Sequence, residues 1–163
     1  MNYDFASDTE KIFSKEAIEY MLYFMDAEFD SDDMAKACDN IFYKIGDIDI
    51  SIKQLLAEKF VSSPLSKRFV DSFYDFLASY SLIEPIQSLK WLEQLLLKQQ
   101  TYEYERYGKV ADVLIQSYNG IKAFNDEDTS PVLEKAMDIM DGYMKNSENK
   151  HMILNFIHKL DNE

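Results

Sequence analysis

The stretch "FVDSFYDFLASY", residues 69–80, decides the fold: Phe69, Val70, Phe73, Phe76, Leu77 and Tyr80 recur at three- and four-residue spacing. That is the period of one face of an α-helix, whereas a half-buried strand alternates every second residue. Moving toward the C-terminus, Pro85 opens another such run, with Ile86, Leu89, Leu92, Leu95 and Leu96 inward. A proline in the first turn has no hydrogen bond to lose there. Toward the N-terminus, "SSPLS" places Ser63 as a cap and Pro64 at the first helical position before the Phe69 stripe.

The helical spacing continues to both ends. A first helix over about 14–28 carries Ala17, Ile18, Met21, Leu22 and Met25, with a leading turn from Ser7, which has capping-box spacing to Glu10. A second, from Asp32 or Asp33 to Ile45, buries Met34, Cys38, Ile41, Phe42 and Ile45, and Gly46 ends it. The third opens after Asp49 or Ser51 with Ile52, Leu55, Leu56 and Phe60 inward. Beyond the linker "KQQTYEYERYG", Val110, Val113, Leu114, Ser117, Tyr118, Ile121 and Phe124 share the face of a sixth helix. Ser130-Pro131 repeats the cap-then-proline start. A seventh helix follows with Leu133, Ala136, Met137, Met140 and Met144, and an eighth with Met152, Ile153, Phe156, Ile157 and Leu160. The expectation is all-α: about eight helices as four antiparallel hairpins, because short connections favour antiparallel neighbours, in a compact bundle or a short solenoid. A single domain spans 1–163, and any sub-boundary falls near 81–86.

An internal echo bears on that choice. Leu89, Leu92, Leu95 and Leu96 match Leu133, Ala136, Ile139 and Met140 at an offset of 44 residues, and Val110 and Val113 then fall on Leu154 and Ile157. With the stretch "KVADVLIQSYNGIKAF", this pattern over residues 85–160 resembles HEAT-type or related α-solenoid repeats. The resemblance implies paired helices that act as a scaffold for protein contacts.

Composition limits the function classes. Four glycines and three prolines leave little material for turn-rich β structure or phosphate-cradling loops, and 14% aromatic residues with 47% hydrophobic can fill a core. The net charge is −13, with acids against bases at 13 to 4 over residues 1–50, 5 to 6 over 51–100 and 12 to 7 over 101–163. Such a field opposes direct binding of nucleic acid or an anionic membrane and attracts a basic protein. Cys38 is the only cysteine, so no intrachain disulfide forms and a reducing compartment fits. "MNYDFASDTEK" lacks the basic and apolar regions of a signal peptide, and no apolar run is long enough to span a membrane, so the expected location is cytoplasmic.

"MDAEFDSDDM", residues 25–34, sets Asp26, Glu28, Asp30 and Asp32 at the spacing of a calcium loop. Ser31 then stands where the loop needs glycine and Ala37 where it needs a bidentate glutamate, so a metal is not expected. Asp30 to Asp33 suit the start of the second helix, where acids meet free N–H groups and the positive end of the dipole. Asp26 and Glu28 fall at a helix end that prefers positive charge. With Phe24, Phe29 and Asp30 they form the first candidate partner-binding patch. Tyr102, Tyr104 and Tyr107, interleaved with Glu103, Glu105 and Arg106, form the second, since tyrosine is favoured at interfaces. Core packing of those tyrosines is the alternative.

His151 and His158 stand two turns apart without a third ligand pattern, and Cys38 sits on an apolar stripe with no base tied to it. No P-loop, dinucleotide fingerprint, nucleophile elbow or HExxH is present. The expectation is therefore a non-catalytic module without cofactor that binds a basic protein through an acidic, aromatic-bearing surface. Two alternatives stand beside it: a small acidic inhibitor (an immunity protein, an antitoxin or a nucleic-acid mimic) that blocks a basic active site, and a helical C-terminal fragment of a larger protein.

Overall fold

The computed structural model describes residues 15–26, 31–44, 49–99 and 104–124, together with Pro131, Glu134, Lys135 and Asp138. These residues hold six helices and no strand: α1 (Lys15–Asp26), α2 (Asp32–Lys44), α3 (Ile50–Ser62), α4 (Asp71–Tyr80), α5 (Pro85–Lys98) and α6 (Tyr104–Phe124), with a 3-10 turn at Pro64–Lys67. The first six of the eight expected helices are thus present. Of the seventh, the four described residues are helical; the eighth, and the turn expected at Ser7, lie outside the described residues.

The Phe69 stripe does build the centre, but not as one helix from Pro64. After the 3-10 turn the chain extends, with Val70 at φ −120° and ψ 103°, and α4 begins at Asp71. Side chains from elsewhere take the backbone groups that a continuous helix would pair. Gln99 Nε2 donates to the carbonyls of Ser66 and Arg68, both at 2.9 Å. The Ser72 amide, which would have donated to Arg68, donates instead to the Asp39 carboxylate at 2.8 Å. Asp39 of α2 therefore caps α4 from another helix, in the way a local N-cap would.

Phe42, Phe60, Phe73 and Phe76, from three different helices, meet with ring centroids 4.6–5.8 Å apart. Edge and tilted pairs of this kind add about 0.5–1.5 kcal/mol each beyond the area they bury. Phe76 stacks on Tyr80 and Tyr80 on Trp91, which carries the cluster into α5. Inward packing departs from expectation at three places. Leu55 and Ile86 are exposed, at 42% and 49%, and Trp91 is buried in their stead at 2%. On α6 the buried set includes Ala111, Ile115 and Gly120 beside the expected face, because this helix begins at Tyr104, within the expected linker, and is covered on more than one side.

α6 packs most closely on α4 and on its sequence neighbour α5; α2 lies against α4 and α1 against α3, and α5 touches α4 and α3 more lightly. The even helices α2, α4 and α6 thus touch in series, as do the odd helices α1, α3 and α5, and each series is called a row below. Beyond α6, Lys135 Nζ meets Glu93 Oε1 of α5 at 2.6 Å.

Candidate functional site

A helix in a row turns one stripe away from every neighbour, and the composition of that stripe separates the two rows. On the even row it is polar. Asp33, Lys36 and Asn40 of α2 and Asp71 and Asp75 of α4 face solvent, and Lys109 of α6 lies 2.6 Å from Asp75 and 3.3 Å from Asp71. Burial opposes the charge of Lys109, but the hydrogen bonds and charges of the two carboxylates outweigh it and hold its pKa above the usual value. Tyr43 is the one exposed large hydrophobic side chain described on this row.

On the odd row the stripe carries large side chains. In α1, Met21 and Leu22 lean on the core and Met25 is fully buried. The 3.6-residue period then turns Glu16, Glu19, Tyr20 and Tyr23 outward together. Tyr20 is 70% and Tyr23 77% exposed. Ile50 and Leu55 of α3, Ile86 and Leu97 of α5, and Leu82 and Ile83 in the corner between α4 and α5 complete the exposed large hydrophobics. Two acids and two tyrosines on one face of α1 combine charge with rigid amphipathic rings, the combination that suits a protein contact.

The residues singled out from the sequence are not among the described side chains. Glu28, Phe29, Asp30 and Tyr102 lie outside the described residues, and so do the side chains of Phe24, Asp26, Tyr104 and Tyr107, whose backbones are helical. The acidic run itself serves local structure where it is described. Asp32 and Asp33 occupy the first turn of α2, the Ser31 hydroxyl accepts from the Met34 amide, and Asp32 pairs with Arg68. Tyr20 and Tyr23 were open to sequence reasoning, because they fall off the stripe of Ala17, Met21, Leu22 and Met25.

One polar cluster has the residue types of catalysis. Lys98 Nζ lies 3.0 Å from Ser66 Oγ, a spacing that a serine nucleophile and a lysine base adopt. Here both groups are used for capping. The Ser66 hydroxyl bonds to the carbonyls of Ser63 and Val61, and Lys98 donates to Val61 as well, closing the C-terminal end of α3. Ser66 is fully buried, so no substrate reaches it. Burial, and secondarily the charge of Lys67, lowers the Lys98 pKa. Cys38 is sealed in the core, where burial and then the neighbouring Asp39 push its thiol up to about 12, away from nucleophilic use. Among the described residues no group of three or more His, Cys, Asp or Glu is placed to hold a metal ion, and no helix is long and apolar enough to cross a membrane.

Compared with protein-family models, curated proteins and solved structures, the chain finds no match.

Proposed function

We propose that this protein is a non-catalytic interaction module that binds a basic protein partner through the acidic, tyrosine-bearing face of α1. The observation that carries the reading is the outward quartet Glu16, Glu19, Tyr20 and Tyr23, set on a helix whose opposite face is anchored in the core. Tyrosine offers large contact area at a low entropic cost, and the acids steer a cationic partner before contact. The scaffold is a short solenoid of stacked helical hairpins, of the HEAT-like kind. Packing between alternate helices and the Lys135–Glu93 contact support it.

Affinity capture on the immobilised chain tests the reading, at low and then moderate salt, with wild type beside Tyr20→Ala/Tyr23→Ala and Glu16→Lys/Glu19→Lys. A basic protein should be retained by wild type, lost from both variants and released by salt. Retention by both variants, with unchanged circular dichroism, would falsify the assignment to α1. The concentration of acids in the first fifty residues, 13 against 4 bases, favours a second reading in which the partner is an enzyme with a basic active site. Assaying the captured partner with and without the chain separates an inhibitor from a scaffold.

A further inference from the structure

Tyrosine is used in two ways in this fold. Tyr74 and Tyr80 are buried, their rings lie against Phe69 and Trp91, and their hydroxyls reach Gln99 and Gln54. Tyr20 and Tyr23 of α1 do none of this: among the described residues neither ring meets another ring and neither hydroxyl is hydrogen-bonded. Each has an acid one turn before it, Glu16 four residues ahead of Tyr20 and Glu19 four ahead of Tyr23. Side chains at i and i+4 lie one above the other on a helix, with Cβ atoms about 5–6 Å apart, and an aromatic side chain leans toward the preceding turn. The face therefore carries an acid–ring pair twice, the second about 4.5 Å further along the axis than the first.

The exposed charged side chains described on α1 and on α3, the helix against which it packs, are all acids: Glu16, Glu19 and Glu58. Of the bases on these two helices, Lys53 and Lys59 are half-buried with contacts of their own, as Glu19 also has, and the Lys15 side chain lies outside the described residues. A second copy of the chain, which carries −13, or an anionic surface would meet like charge here. A cation is the occupant the face fits, and the ring beside each carboxylate selects which one. An ammonium is a compact, strongly hydrated charge that a carboxylate alone satisfies. A guanidinium is planar and weakly hydrated, so it lies flat on a ring while its edge N–H groups reach a carboxylate.

Resting on the docking role given to α1 above, we propose that Glu16 with Tyr20 and Glu19 with Tyr23 are two clamps for arginine, and that the partner enters them with two arginines one helical turn apart. In each clamp the guanidinium stacks on the tyrosine ring and donates to the glutamate one turn away.

NMR titration of the whole chain tests this with three helical peptides that differ only at two positions one turn apart: both arginine, both lysine or both glutamine. The arginine peptide should shift the amides of residues 16–23 and bind about tenfold more tightly than the lysine peptide, as two cation–π contacts at an exposed site would give. The glutamine peptide should not bind. The arginine Cδ protons should move upfield, the ring-current mark of stacking. Tyr20→Phe/Tyr23→Phe should keep the preference for arginine, because the ring face is retained, and Tyr20→Leu/Tyr23→Leu should erase it. Glu16→Gln/Glu19→Gln should weaken both charged peptides, more so at low salt. Equal affinity for the arginine and lysine peptides overturns the clamps and leaves an acidic docking face on α1. Arginine binding that survives both the leucine and the glutamine variants, with circular dichroism unchanged, overturns the clamps and the assignment to α1 together, and so does the absence of any saturable shift in α1 with either charged peptide up to millimolar concentration.

Discussion

Gly120 and Gly108 lie in the same helix and face opposite constraints. Glycine in a helix interior is disfavoured by about 1 kcal/mol relative to alanine. At Gly108 nothing lies within 4 Å of a Cβ, so Gly108→Ala should stabilise the protein by about that amount. At Gly120 a Cβ would overlap the Ser81 carbonyl and stand 3.2 Å from the Leu82 Cα, both of them backbone. Gly120→Ala should therefore destabilise by about 1–3 kcal/mol, the range for overpacking, despite its better propensity. Urea unfolding of the two variants checks both signs. Nothing in "SYNGIKAF" reveals this difference, because the carbonyl that forbids a side chain comes from 39 residues earlier in the chain. Cys38, by contrast, could be assigned to the core from its place on an apolar stripe, and it is buried. Its pKa rises from 9.0 to about 12 on folding. A raised folded value means stability that is complete below pH 9 and lost as pH climbs from 9 toward 12. Cys38→Ala should flatten that alkaline decline, and Tyr80, also raised, should keep contributing to it above pH 10. Ellman's reagent should label the native thiol only at the rate at which the core opens, and at once in denaturant.

At the scale of elements, the helices held by their own sequence were easier to read than those held by others. α3 begins where Asp49 can accept from both the amide and the hydroxyl of Ser51, a local arrangement that places its start within a residue or two. These bonds hold the Asp49 carboxyl below its usual range. α4 has no such residue of its own. Val70 precedes it, and the cap comes from Asp39, 33 residues away, which is why a start at Pro64 looked equally good. Asp39→Ala should cost about 1 kcal/mol, typical of a lost N-cap, and should loosen α2 and α4 together. Asp39→Asn, which still offers an oxygen, should recover most of the loss; thermal melts of both variants distinguish a cap from a general effect of charge. Gln99 is the parallel case. It accepts from the Tyr74 hydroxyl at 2.8 Å and donates to two carbonyls, fixing the extended link between the 3-10 turn and α4. A glutamine at the end of a leucine-rich run carries no sign of this role, since the carbonyls it binds are 31 and 33 residues away and the Tyr74 hydroxyl 25.

Across the whole molecule, the helical periodicity made an all-α fold legible, while the order in which the helices pack was not. Apolar spacing states which face of a helix is buried but not what buries it, and here α6 packs on α4, two helices back, as well as on its sequence neighbour α5, while α2 packs on α4. The exposed stripe was legible for the same reason on α1, and less so on α3 and α5. Leu55 and Ile86 sit at helical spacing from core residues yet face solvent. This arrangement predicts a gradient of local stability, because a helix opens at a cost set by the neighbours it must leave. α4 contacts α2, α5 and α6 and contributes five aromatic or aliphatic residues to the core, whereas among the described helices α1 packs chiefly on α3 and contributes Met25. Native-state hydrogen exchange should accordingly find the slowest amides in α4 and in the part of α6 that lies against it, intermediate rates in α3 and α5, and the fastest exchange in α1. Phe73→Ala, which removes the ring touching Phe42, Phe60 and Phe76, should cost about 3–5 kcal/mol and accelerate exchange in every helix that opens only with the whole. Met25→Ala should accelerate α1 alone. If Met25→Ala raised exchange in α6 as much as in α1, the helices would open as one cooperative unit, and the row-by-row account of this fold would have to be abandoned.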